Sequence, residues 1–333
     1  MIRAALCGFV FLDILLTDFV DLGRLPVTVI RPTGAMKLLP WSFYDILVTP
    51  RGMLILKVLL LISLAAATLG YFTSVSMKCA AVLFLFYQGL LRSFGHFNHD
   101  EMPVVYMFFV LAFTPSGDRF SLDRMLRGAR ARAGDIVYGY PILLMRVLLA
   151  WSYFSSALIK LRVTGLAYFN PDNLPTLSIL HSLDNLHDTH FRLAFWLPRA
   201  RPVMTVAIVL VLLWEFLFPL ALFSKTARRI ILSAGVVFHI GTLLFMNVFF
   251  PYHLAAYVVF IDWPRLASQV KGSGLFQSLS GYFEGRFRSR PKSEPGSNFE
   301  RNHPASAVLA IVPSTGQTRC SNLSSTGKMT ASP

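Results

Sequence analysis

The sequence predicts an all-α, polytopic transmembrane helix bundle of about eight spans, ending in a disordered basic tail. Three observations carry that prediction. Hydrophobic residues make up 54% of the chain and charged residues only 14%, whereas soluble domains carry about a quarter charged residues. The apolar residues fall in long continuous runs rather than alternating, and the mean hydropathy is +0.56, the pattern of membrane-spanning helices. The basic residues lie mainly between and after those runs. A net charge of +14 so placed orients spans and meets anionic lipid, and does not indicate nucleic acid.

The first span covers residues 1–20 and is read as a retained helix, because Asp13 and Asp18 interrupt the run and no small-residue cleavage site follows. These two acids either hydrogen-bond neighbouring helices or face a site. Residues 21–50 form a polar loop in which Trp41 and Tyr44 are expected as interfacial anchors. The second span is 52–72, with Lys57 free to snorkel. A third, 79–91, and a fourth, 103–113, are short for a membrane. The loop 115–137 carries five arginines, and Ser121 caps a short amphipathic helix with Leu122, Met125 and Leu126.

The fifth span is 138–161, ending at Lys160. Residues 162–202 are a long connection whose aromatic and leucine content argues for order. The sixth span, 203–223, holds Trp214 and Glu215. The seventh, 230–250, holds His239, and Pro251-Tyr252-His253 breaks it before a short eighth run, 254–263. The organisation is therefore a transmembrane domain at 1–263 and a disordered basic tail at 264–333, rich in Ser, Gly, Pro and Arg. Cys7 and Cys79 are expected as small core residues, and with Cys320 they show no disulfide framework or metal spacing. Counting Lys and Arg in the short connections places both termini in the cytoplasm of a multi-pass protein.

Residues 93–123, SFGHFNHDEMPVVYMFFVLAFTPSGDRFSLD, concentrate His96, His99, Asp100 and Glu101 beside an apolar run, and ionisable groups there mark a candidate site. The two histidines share a helical face and are open to metal binding, proton relay or a hydrogen-bonded helix end. Lys160, at the end of an apolar run, is either a general base or a snorkelling lysine. Glu215 is a candidate partner for a basic group, and a lone mid-span histidine such as His239 needs a partner of its own.

Taken with WSYFSSALIKLRVTGLAYF, WEFLFPLAL and VVFHIGTLLFMNVFF in that order, the histidine segment resembles the vitamin K-dependent gamma-carboxylase superfamily. It is most similar to the superfamily's bacterial relatives, the horizontally transferred transmembrane (HTTM) domain proteins. The resemblance implies Lys160 as the base that deprotonates a hydroquinone, with His99 and His239 as further catalytic residues. It implies a quinone such as vitamin K hydroquinone as cofactor, and a bacterial inner membrane as location. Two features depart from the carboxylase: the tail after residue 263 is too short to be its large lumenal substrate domain, and a single lysine preceded by Ile159 stands where the carboxylase has two. Quinone-linked chemistry, rather than glutamate carboxylation, is the expectation that remains. The alternative expectation is a non-enzymatic membrane module that binds a lipid or a partner protein. Membrane lipids are the expected partners, and no metal is assigned.

Overall fold

The computed structural model describes residues 1–95, 100–118, 121–127, 135–184, 193–263 and 265–266, and these are helical with no strand. His96, Asn98, His99, Arg119, Arg130, Arg132, His187, Asp188, His190, Cys320 and the tail from 267 lie outside the described residues. The described chain falls in one unit, Met1–Gln269.

The first helix, α1 (Ile2–Leu16), is followed by short 3-10 turns and by α2 (Trp41–Leu47). Next comes α3 (Pro50–Leu69), which starts two residues before the expected second span and ends three residues short of it. Pro50 sits in its first turn, and the Thr49 side chain accepts from the Gly52 amide at 3.0 Å. It ends at Gly70 in the left-handed region, with φ +75°. The chain then turns into α4 (Thr73–Ser93) and α5 (Met102–Ala112), and α6 (Leu122–Arg127) lies beyond them. Ser121 caps α6 as expected, its Oγ accepting from the Arg124 amide at 3.2 Å. Leu126 and Met125 on that helix are exposed.

The longest helix is α7 (Asp135–Thr164). The long connection after it is ordered over its described part. It forms a 3-10 turn at Gly165–Phe169, α8 (Asn173–Asp184) and a second 3-10 segment at Leu193–Ala200. Then α9 (Arg201–Leu217) runs into a 3-10 turn at Phe218–Leu222, and α10 (Lys225–Met246) follows, capped by Ser224. The last pieces are α11 (Pro251–Ala256) and a 3-10 turn, Tyr257–Phe260.

Among the described residues, five segments are long and apolar enough to cross a membrane: Pro50–Leu69, Thr73–Ser93, Ile136–Phe169, Ala194–Leu222 and Lys225–Met246. The other three expected spans are short. α1 has 15 residues and α5 has 11, and the last run is divided between α11 and its 3-10 turn. Proline opens both α5 and α11, which fixes their starts and removes a backbone donor there.

Outward faces show what solvent the bundle is built for. Leu54, Ile55, Val58, Leu59 and Ile62 of α3 are all exposed, as suits a helix bathed in lipid. Cys7 is buried, but Cys79 is exposed rather than in the core, because it lies on the face of α4 opposite the buried Ser76, Met77 and Ala80. Trp41 is exposed, whereas Tyr44 is buried and donates to the Met36 carbonyl, so Tyr44 packs under the loop instead of anchoring at an interface. Helices adjacent in sequence pack together from α1 through α3, α4 and α5 to α7 and α9. α11 then returns against α5 and α1.

One clasp holds the α3–α4 turn. Asp123 accepts from the Phe72 amide (2.9 Å), the Thr73 amide (2.7 Å) and the Thr73 hydroxyl (2.8 Å). It thereby satisfies the first amides of α4, which have no helical partner of their own. Arg3 of α1 donates to the same Thr73 hydroxyl at 3.2 Å. Replacing Asp123 by Ala is therefore expected to destabilise the bundle by about 1–2 kcal/mol, read as a lower thermal midpoint in detergent. An unchanged midpoint would show that water caps α4 equally well.

Candidate functional site

A polar seam runs between α7, α9, α10 and α11. Along α7, Tyr153, Ser156 and Lys160 follow at intervals of three and four residues and so share one face. Lys160 Nζ meets both carboxylate oxygens of Glu215 on α9, at 2.5 and 2.6 Å. Ser156 donates to the same carboxylate at 3.4 Å. The Lys160 side chain is 30% exposed and that of Glu215 only 5%, so the acid is the deeper partner. The Tyr168 ring lies 5.9 Å from the amine.

Two helical turns away, about 10 Å along α7, Tyr153 forms the second cluster. Its hydroxyl is 2.9 Å from His239 Nε2 on α10 and 3.2 Å from the Tyr257 hydroxyl. Gly235, one turn before His239 on α10, makes room for this contact. A Cβ at Gly235 would fall 2.1 Å from the Tyr257 hydroxyl and 2.8 Å from Trp214. Phe218 stacks on Tyr153 with ring centroids 4.2 Å apart, and Trp214 meets it edge-on at 4.9 Å. His253 of α11 completes the group, 5.1 Å from the Tyr153 ring and 5.9 Å from the His239 ring. Phe250 lies against both imidazoles.

The imidazoles are incompletely bonded. Nδ1 of His239 and Nδ1 of His253 are both buried without a hydrogen-bond partner. Tautomerism does not remove this. If Tyr153 donates to Nε2 of His239, then Nδ1 carries the proton and is a donor; if Nε2 donates, Nδ1 is an acceptor. In either state one polar atom is left over, and leaving it unpaired costs about 1–3 kcal/mol. Two such atoms in one aromatic enclosure suit a ligand with hydroxyl or carbonyl groups and a flat ring.

The structure thus brings Lys160 and His239 onto one seam, each with its own partner, while His99 lies outside the described residues. Glu215, named from sequence as a candidate partner for a basic group, is the partner of Lys160. Tyr153 and Tyr257 were not singled out, and His253 was named only at the break after the seventh span. A signal existed for the last two, since His253 and Tyr257 are four apart and share a face once the break at Pro251 is read as a helix start. The neighbouring histidine segment is represented by its flanks. Asp100 and Glu101 are buried, and Glu101 lies 3.8 Å from Arg92. Of the two acids of the first expected span, Asp13 of α1 accepts from Tyr252 of α11, and the exposed Asp18, just beyond the end of α1, accepts from the Val20 amide. Among the described residues no three His, Cys, Asp or Glu side chains converge as metal ligands.

Compared with protein-family models, curated proteins and solved structures, the chain matches none.

Removing one member of the Lys160–Glu215 pair leaves the other uncompensated. Lys160→Ala is expected to lower stability by about 3 kcal/mol, the low end for a buried pair because the amine is part-exposed. Lys160→Met with Glu215→Leu, which removes both charges, is expected to recover most of that loss. Thermal unfolding of the three proteins in one detergent checks this, and additive losses in the double variant would contradict it.

Proposed function

We propose that this integral membrane protein is a quinone-linked enzyme of the HTTM, vitamin K-dependent gamma-carboxylase-like type, set in a bacterial inner membrane with both termini cytoplasmic. The observation that carries the reading is the pair of unpartnered imidazole nitrogens, His239 Nδ1 and His253 Nδ1, inside an aromatic enclosure on the seam that also holds Lys160. When bound, a hydroquinone supplies reducing equivalents and a weakly acidic hydroxyl.

The residues have complementary tasks. Phe218, Phe250 and Trp214 exclude water and favour an aromatic ring. His239 orients an oxygen through Nδ1 and is held by Tyr153 through Nε2. A proton arriving at Nδ1 is matched by one leaving Nε2 toward Tyr153 and Tyr257, so the ring serves as a relay without moving. Lys160 acts as the base, and Glu215 positions its amine and takes up its proton.

A second reading has its own observation. Lys160 is already bound by both oxygens of Glu215, which is also how a purely structural lock between two helices is built. In that reading the chain is a non-enzymatic module that binds a lipid or a partner protein through the same seam.

Mass spectrometry of lipids extracted from the purified full chain separates the two. The enzyme reading expects a quinone to co-purify with the wild type and to be depleted in His239→Ala. It also expects Lys160→Arg to keep wild-type thermal stability while oxidation of added hydroquinone by dioxygen is lost, because arginine pairs with Glu215 but stays charged. Recovery of no quinone, with Lys160→Arg indistinguishable from wild type, would leave the module.

A further inference from the structure

We infer that the chain carries a binding site for an anionic phospholipid, built from Arg146, Arg228 and the groove beside Phe260. Arg146 of α7 donates through Nε to the Val259 carbonyl at 2.8 Å, and Arg228 of α10 donates through Nε to the Ala221 carbonyl at 3.0 Å. Both guanidiniums lie 5.5 Å from the centroid of the Phe260 ring. The stem of each arginine is thus fixed by a backbone carbonyl and its head by one aromatic ring. No described residue holds a hydrogen bond to the terminal amino groups of either arginine.

Two cations held on one ring repel each other, and each acts on the other electrostatically. Asp262 is the acidic group within reach of Arg146. One carboxylate against two guanidiniums leaves a net positive charge. Phosphate is the anion that matches paired guanidinium forks.

The ligand is a lipid rather than free phosphate because of what adjoins the arginines. A groove of about 420 Å³, which Phe260 also lines, lies between α1, α10, α11 and the last 3-10 turn. Ala5, Phe9, Leu232, Leu254 and Val258 line it with Phe260. Leu232 stands one turn after Arg228 on the same face of α10. An apolar chain in the groove and a phosphate on the arginines would therefore meet at Phe260. A headgroup with its own cation would bring a third positive charge to the pair, so the site selects an anionic lipid over a zwitterionic one.

The test uses the full chain in nanodiscs of phosphatidylcholine with or without phosphatidylglycerol, read by thermal midpoint and by native mass spectrometry of retained lipid. The wild type is expected to retain phosphatidylglycerol over phosphatidylcholine and to be stabilised by it. Each basic residue near an anionic lipid carries a few-fold preference, so Arg146→Gln with Arg228→Gln is expected to lower that preference roughly 30-fold. Lys225→Gln with Arg229→Gln, changing exposed charges on the same helix, is expected to leave it in place. A structural role for the arginines would lower both midpoints alike and leave the preference between lipids unchanged, which would overturn the proposal. So would wild-type protein with no preference between the two lipids, a measurement that needs no variant to fold. Equal protection by inorganic phosphate in phosphatidylcholine discs would also overturn it, by showing a bare anion site.

Discussion

Hydrocarbon offers no hydrogen-bond partner, so a polar side chain carried inside this bundle is satisfied only within the protein or by what it binds. The pairs that result do more than satisfy single atoms. Lipid is as apolar as leucine, and burial of leucine therefore does little to say which helix packs against which. Lys160 with Glu215 ties α7 to α9, and Tyr153 with His239 ties α7 to α10. Asp13 with Tyr252 ties α1 to α11. Arg146 reaches from α7 to the Val259 carbonyl near the end of the described chain. α7 takes part in three of these four links, and it is also the longest helix.

The short α11 gives the bundle its connection between two polar regions. Tyr252 and His253 are consecutive, so their side chains leave the helix about 100° apart. Tyr252 turns toward α1 and α4, where it meets Phe9, Phe84 and Asp13. Glu101, from the histidine-bearing segment, lies within electrostatic reach of it. His253 turns the other way, toward Tyr153 and His239. This is a physical link between the segment around Asp100 and the seam around His239, made by one turn of helix.

How much of this was legible in the sequence depends on the range of the interaction. The long spans were, because an apolar run of membrane length is a local signal, and so was the Ser121 cap. Lys160 and Glu215 stood out because charges in apolar runs are costly. Their pairing crosses 55 residues and is decided by helix packing, so sequence offered Glu215 only as a partner for some basic group. The Tyr153–His239 bond crosses 86 residues, and a tyrosine in an apolar run raises no alarm. His253 was named at the break after the seventh span, but its meeting with Tyr153 and His239 depends on Pro251 opening a new helix. Cys79 and Tyr44 changed places with expectation for a related reason: which face of an element looks inward is set by neighbours that the local pattern does not name.

The central claim is that the seam between α7, α10 and α11 presents two imidazole nitrogens to something other than protein. An electron cryomicroscopy map of the full chain in a lipid nanodisc, detailed enough to place side chains, tests it most directly. The account predicts non-protein density within hydrogen-bond distance of His239 Nδ1 and His253 Nδ1, with Tyr153 still on His239 Nε2. A map in which both nitrogens are bonded to groups of the protein itself would contradict it.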